Sequence, residues 1–202
     1  MNDFGPAESL HRLMKQALDS GEATSIAEAE AMFRGYRVHF SIDPADANDQ
    51  HHQAALLTGI TLAKRVFLGG VSVSGVSDIP LRVPMPLAQT LAGAVISLDA
   101  QSQPDLPSET PIIFIGGCPK PRVSGFAVRA VFGDWRGGVI PVHATHFQPA
   151  EPVMALSPML AAALAVSEAF FHVHGSMSIA GKRSVGFSLW NPGESDWFAS
   201  DP

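Results

Sequence analysis

Two stretches decide the fold of this chain: Tyr36-Arg-Val-His-Phe-Ser-Ile42 and Val71-Ser-Val-Ser-Gly-Val76. In the first, apolar and polar residues alternate, which is the pattern of a strand with two different faces. Between them, residues 49–67 carry apolar side chains at helical spacing, and Gly69-Gly70 follows. The segment 36–76 therefore predicts a strand, a helix and a parallel strand, which together form one βαβ unit.

The rest of the chain continues this alternation of strands and helices. The wholly apolar run Ile112–Ile115 predicts a buried central strand. Further strands are predicted at 126–132, 139–142 and 185–189, helices at 7–19, 25–33, 87–96 and 157–174, and a surface loop at 99–111. The predicted fold class is α/β: a three-layer Rossmann-like domain with a mostly parallel sheet and one antiparallel hairpin.

Helix boundaries are marked by capping residues. Ser25 with Glu28 three positions later fits a capping box at the second helix. Ser157 at the N-cap and Pro158 at the first helical position open the longest predicted helix, which Gly175 closes.

These elements divide the chain into three predicted parts. Residues 1–34 form an N-terminal helical appendage, and residues 35–190 form the Rossmann-like domain. Residues 191–202 are a polar tail or the start of a linker.

Composition excludes several classes of function. The 13 Lys and Arg residues are scattered and are outnumbered by 19 Asp and Glu residues, so a phosphate-binding face for nucleic acid is not expected. The single cysteine, Cys118, allows neither an internal disulfide nor a cysteine zinc site. The sequence shows no membrane-length apolar run and no signal peptide, which predicts a cytoplasmic protein without membrane contact.

The segment after the first strand lacks the feature that binds phosphate in dinucleotide- and ATP-binding relatives of this fold. Those proteins place a glycine-rich turn before the helix, so that the backbone can approach the phosphate. Here residues 41–50 contain no glycine and several aspartates, whose charge repels phosphate, and Asn48 or Asp49 is the expected N-cap. Asp78, just past the second strand, is either the acidic residue that binds a ribose or a turn residue before Ile79-Pro80.

One stretch carries a family resemblance. Thr61-Leu-Ala-Lys-Arg-Val-Phe-Leu-Gly-Gly-Val-Ser-Val-Ser-Gly-Val-Ser-Asp78 resembles the equivalent part of ThiF-like, ubiquitin-activating-type adenylyltransferases. The helix of small residues from Ser157 to Phe170 also looks like that family. The family's glycine loop and catalytic cysteine have no convincing match, and Arg82 is the only arginine close behind Asp78.

With the glycine loop missing, the resemblance is closest to the nucleotide-incompetent N-terminal Rossmann-like domain of such an adenylyltransferase. It implies a non-catalytic pseudo-adenylation domain in a bacterial ubiquitin-like activation system. The implied partner is a ThiF-like adenylation domain, or a second copy of the chain, together with a ubiquitin-like protein. This chain would hold no cofactor, and ATP would bind on a following or partner domain.

The end of the predicted central strand offers a different interpretation, a small α/β enzyme. Gly116 and Gly117 would lie in the crevice where ligands bind such sheets, and Cys118 follows them. Cys118 would serve as nucleophile with His143 or His146 as base. The alternative is a cysteine packed as a small apolar residue.

Histidines provide one more possible chemistry, a zinc site built from pairs. The pairs are His143 with His146, His172 with His174, and His51 with His52. No carboxylate stands near the first two pairs at metal-ligand spacing, and the dipole of a helix C-terminus accounts for His174. No metal is expected.

The segment 133–138 is the most function-like loop. Trp135 and Arg136 between glycine-containing turns would contact a partner or a ligand. The alternative is a wide hairpin turn in which Trp135 covers the core. A third interpretation of the whole chain is a binding scaffold unrelated to nucleotides.

Overall fold

The computed structural model describes residues 6–86, 88–117, 125–144, 147, 151, 153–194 and 196–197, with side chains from residue 12 onward. The helices are α1 (Pro6–Asp19), α2 (Ile26–Arg34), α3 (Gln50–Ala63), α4 (Leu91–Ser97) and α5 (Ser157–His174). The strands are β1 (Arg37–Ile42), β2 (Gly70–Ser74), β3 (Gln101–Ser102), β4 (Ile112–Ile115), β5 (Ala127–Gly133), β6 (Arg136–Pro141) and β7 (Val185–Ser188). None of the described helices is both long and apolar enough to cross a membrane.

The strands form one sheet in the order β3-β2-β1-β4-β5-β6-β7. Strands β1 to β5 are parallel, β5 and β6 form an antiparallel hairpin, and β7 pairs antiparallel with β6. The α/β class, the mostly parallel sheet and the hairpin are confirmed. From β1 the chain moves outward to β2 and β3 and then returns to place β4 on the other side of β1. The carboxyl ends of β1 and β4 therefore meet at a topological switch point.

The two faces of the sheet are covered differently. Val38 and Phe40 of β1 belong to the main buried cluster, which takes in buried apolar side chains from all five helices. On the opposite face, a second cluster joins Val131 and Ile140 to Phe147 and Trp197, which come from a loop and the C-terminal segment. Within the described residues, loops and not helices cover this second face.

The C-terminal segment takes part in that second face. Trp197 is buried and lies directly over Gly138 and Gly186, where a Cβ atom on either glycine would collide with the indole ring. The glycines of β6 and β7 thus make room for Trp197.

The domain boundaries given by the sequence remain predictions.

Two elements near the β2 edge differ from the sequence predictions. The helix predicted at 87–96 begins only at Leu91, because Thr90 caps it by accepting from the Gly93 amide. The residues before Leu91 hydrogen-bond to an earlier part of the chain instead: the Leu81 amide donates to the Gln89 carbonyl at 2.9 Å. Strand β3 lies inside the predicted loop 99–111, where two exposed polar residues carry no strand pattern.

Two of the predicted caps are confirmed, at α2 and at the end of α5, and the cap predicted at the start of α5 is wrong. Ser25 accepts from the Glu28 amide at 3.2 Å, and Gly175 ends α5 with φ of 76°. Ser157 is not the N-cap of α5, a position that Leu156 holds without a side-chain hydrogen bond. Its hydroxyl instead donates to the Asp134 carbonyl at 2.8 Å and so ties α5 to the β5–β6 turn.

His39 is a buried residue that strand alternation had placed on a polar face. Its ring is fully buried, with Nδ1 2.8 Å from Ser72 Oγ and Nε2 2.9 Å from Ser74 Oγ. The Gln103 amide nitrogen, which can only donate, lies 3.3 Å from Nδ1, so Nδ1 accepts and Nε2 donates to Ser74. Burial lowers the pKa of His39 from 6.5 to about 4.

The His39 pKa predicts a pH dependence of stability. The unfolded chain protonates His39 below about pH 6.5, whereas the folded protein keeps it neutral down to about pH 4, so unfolding takes up a proton between these values. The free energy of unfolding should fall on acidification through this window, with a His39 share on the order of 2–3 kcal/mol. Urea unfolding across this pH range should show a shallower slope for His39→Gln than for the wild type. The exposed His143→Gln is the control. A His39→Gln slope equal to that of the wild type would contradict this assignment.

Candidate functional site

The candidate site is a crevice at the carboxyl ends of β1, β4 and β5, where ligands bind open α/β sheets. It encloses a cavity of about 360 Å³. Its described walls come from the segment joining β1 to α3, the start of α3, the end of β4, strand β5 and three residues after β6. The lining residues are Asp46, Asp49, His51, His52, Gly116, Gly117, Arg129, Ala130, Val131, Phe132, Phe147, Glu151 and Val153.

The aspartate-rich segment after β1 reaches across to the end of β4. The Gly117 amide donates to Asp46 Oδ2 at 2.7 Å, which joins two positions 71 residues apart. Gly116 lies in the left-handed region with φ of 81°, which positions the following amide toward this carboxylate. A Cβ atom on Gly116 would collide with the Asp46 carboxylate, and one on Gly117 with that of Asp43. Both glycines therefore make room for the protein's own carboxylates.

The N-terminus of α3 is occupied in the same way. Asp49 is its N-cap, one of the two predicted candidates, and its Oδ1 accepts from the amides of His51 and His52, both at 2.9 Å. Burial raises the pKa of Asp49, but the hydrogen bonds from the His52 amide and ring outweigh that effect, so the pKa lies below its usual value. An ionised carboxylate thus holds the position that a phosphate takes in a nucleotide-binding domain of this fold.

His52 and Asp49 also form a side-chain pair inside the crevice. His52 Nδ1 lies 2.7 Å from Asp49 Oδ1, and the imidazole ring packs 4.9 Å from the ring of Phe132. Such a pair orients an imidazole as a general base in enzymes. Among the described lining residues there is no hydroxyl or thiol for that base to activate, and Asp49 is already engaged as a helix cap.

Arg129 is the cation of the crevice. Its Nη2 donates to the Ala144 carbonyl at 3.2 Å. Its Nε is buried and has no hydrogen-bond partner within the described part of the chain. Arg129 lies in β5, where successive side chains face opposite sides of the sheet. The sequence pattern of this strand did not single out Arg129 as a functional residue.

The candidate site residues predicted from the sequence do not all lie in the crevice. Gly116 and Gly117 lie in the crevice as predicted, but their backbone holds carboxylates of the protein itself. Asp78 is exposed in the segment after β2. Cys118 and His146 lie outside the described residues.

The histidine pairs are separated by their contacts. His172 packs against Phe126 with ring centroids 4.7 Å apart, whereas His174 Nε2 lies 3.0 Å from Glu22 Oε2. In the described part of the chain, no group of three or more His, Cys, Asp or Glu residues is placed to hold a metal ion.

The 133–138 segment is a tight hairpin, and its arginine is not exposed. The turn consists of Asp134 and Trp135, because β5 ends at Gly133 and β6 begins at Arg136. The prediction of an exposed Arg136 is wrong: it is 1% exposed, its Nε donates to Asp134 Oδ1 at 2.8 Å, and its guanidinium lies over the Phe147 ring. Its strand position directs it to the helix-free face, where Phe147 covers it.

Trp135 remains accessible at the end of this hairpin. It packs against Trp190 with ring centroids 5.4 Å apart, and Trp190 is 59% exposed. By contrast, the small residues of α5, including Ala161, Ala165 and Ala169, are fully buried against the chain's own core. They are therefore not available to a partner.

Strand order, switch point and crevice define a Rossmann-like α/β domain in which Asp46 and Asp49 accept hydrogen bonds from backbone amides of the crevice. The family model of the BilD N-terminal domain matches residues 37–189, and the chain belongs to this family. A curated relative, the bacterial E1-like protein BilD of Collimonas sp. (strain OK412), is 32% identical over 193 residues. The match covers 96% of this chain and 42% of that relative, so the chain spans less than half the relative's length.

The burial of Arg136 predicts a structural role. Arg136→Met leaves the Asp134 carboxylate without its buried cation, so we expect a loss of about 2–4 kcal/mol in the free energy of unfolding. Urea unfolding at neutral pH measures it. Arg65→Met, at an exposed position, is the matched control and should change stability by less than about 0.5 kcal/mol. Equal small effects in both variants would show that the Arg136 pair does not stabilise the fold.

Proposed function

We propose that this chain is a non-catalytic pseudo-adenylation domain that supports, or dimerises with, a ThiF-like adenylation domain in a bacterial ubiquitin-like activation system. The observation that carries the proposal is the double occupation of the crevice by Asp46 and Asp49. These carboxylates accept hydrogen bonds from the backbone donors that would otherwise face a phosphate.

Electrostatics supports the absence of nucleotide binding. A triphosphate in this crevice would lie beside Asp46, Asp49 and Glu151, with Arg129 as the one cationic lining residue among those described. Like charges within a few ångströms are strongly unfavourable in a partly buried site. Displacing Asp46 would also break the hydrogen bond between its part-buried carboxylate and the Gly117 amide.

Family membership supports the association with an adenylation domain. The relative is named an E1-like protein and is more than twice as long as its match to this chain. We infer that the ATP-binding domain is either a further part of a longer chain or a separate protein, and that a ubiquitin-like protein is its substrate. The net charge of −6 gives no support to nucleic acid binding, and we expect the complex to act in the cytoplasm.

The surface we assign to this partner is the Trp135–Trp190 pair at the β5–β6 hairpin. Trp190 is largely exposed and held in place by Trp135, whose carbonyl accepts from the Leu189 amide at 2.8 Å. Large, rigid aromatic side chains lose little entropy on binding and are enriched among residues that dominate binding energy.

The proposal predicts that the chain alone does not bind ATP. Calorimetric titration with Mg-ATP should give no heat of binding up to millimolar nucleotide. The chain mixed with a ThiF-like adenylation domain of an E1-like protein should elute as a complex in size-exclusion chromatography and should bind ATP there. Micromolar ATP binding by the chain alone would contradict the nucleotide-free assignment, and failure to form a complex would contradict the supporting role.

The exposed Trp190 side chain should contribute to the affinity of this complex. Trp190→Ala should weaken that complex by about tenfold or more, because an exposed anchor residue is lost. Thermal unfolding should be unchanged, since most of the side chain lies in solvent. Ile96→Ala, at a side chain 69% exposed on α4, is the control and should leave affinity unchanged. Equal affinities for both variants would place the interface elsewhere.

A further inference from the structure

The Gly116-Gly117 turn has the form of an anion-binding turn whose anion belongs to the protein itself. A left-handed glycine followed by a free amide creates a small concave site for a negative charge. Gly116 has φ of 81°, and the Gly117 amide donates to Asp46 Oδ2 at 2.7 Å. The Asp46 carboxylate therefore stands where an oxygen of an external oxyanion would bind.

A second donor in the same crevice has no such partner. Arg129 lines the cavity, and within the described residues its buried Nε has no hydrogen-bond acceptor and its guanidinium forms no ion pair. The cavity of about 360 Å³ has room for a small oxyanion beside Gly117. An arginine and a backbone amide are the donors that recognise phosphate and carboxylate groups.

We propose that the crevice is an oxyanion site that Asp46 keeps closed, and that removal of the Asp46 carboxylate opens it to inorganic phosphate through Gly117 and Arg129. This inference rests on the nucleotide-free state of the wild-type chain in the proposed function. It assigns the closure of the Gly117 donor to Asp46 alone, because Asp49 occupies the separate donors at the α3 N-terminus.

Two substitutions of Asp46 separate charge from space. Asp46→Asn removes the charge but keeps an oxygen that accepts from the Gly117 amide. Asp46→Ala removes both and leaves the amide facing the cavity. Phosphate affinity should therefore increase in the order wild type, Asp46→Asn, Asp46→Ala. The remaining Asp43, Asp49 and Glu151 carboxylates keep the gained affinity in the millimolar range.

The experiment is a titration with sodium phosphate at constant ionic strength, followed by the amide signals of the folded chain in NMR. The Gly117 amide should shift with saturation in Asp46→Ala, with at least about tenfold tighter apparent binding than in the wild type. Asp43→Ala is the matched control, because Asp43 contacts Gly117 but accepts no hydrogen bond from it. It should behave as the wild type does.

The double variant Asp46→Ala with Arg129→Met tests the second donor and should lose the gain. Absence of a saturable Gly117 shift in Asp46→Ala would overturn the proposal, as would an undiminished gain in the double variant. If Asp46→Ala does not fold, Asp46→Asn decides, since it should bind phosphate more tightly than the wild type. These outcomes are separate from the proposed function, which fails instead if the wild-type chain binds ATP.

Discussion

The hydrogen bond from the Gly117 amide to the Asp46 carboxylate joins the segment after β1 to the end of β4, and the character of the crevice depends on it. A Rossmann-type sheet brings backbone donors together at its switch point whether or not a ligand is present. A buried amide needs an acceptor, and in nucleotide-binding domains the phosphate supplies one. Here Asp46 supplies it to Gly117, and Asp49 does the same for the first amides of α3.

The carboxylates of Asp46 and Asp49 thus satisfy backbone donors of the crevice within the chain itself. Gly116 and Gly117 are part of the same arrangement, because the absence of a side chain at each position makes room for the carboxylates of Asp46 and Asp43. At the end of the β5–β6 hairpin, Trp135 packs against the exposed Trp190, which follows β7. The chain belongs to the family of BilD N-terminal domains.

Much of the fold was predictable because it follows from apolar patterning and capping residues. The βαβ unit, the central strand Ile112–Ile115 and the helix ended by Gly175 each carry a local signal, and each is present. The missing glycine loop was also readable, as a run of aspartates. The hydrogen-bond partner of Asp46 could not be predicted from the sequence, because Gly117 lies 71 residues away and only the folded sheet brings the two residues together. Burial of His39 was missed because a strand pattern shows alternation but not what covers the polar face. Burial of Arg136 was missed because residues 133–138 were predicted as a loop, whereas β6 begins at Arg136.

A crystal structure of the chain grown with millimolar Mg-ATP would show directly which groups occupy the backbone donors of the crevice. We expect a crevice without nucleotide, with Asp46 hydrogen-bonded to the Gly117 amide and Asp49 to the first amides of α3. A nucleotide whose phosphates lie on Gly116-Gly117 or on the start of α3, with these aspartates displaced, would contradict it.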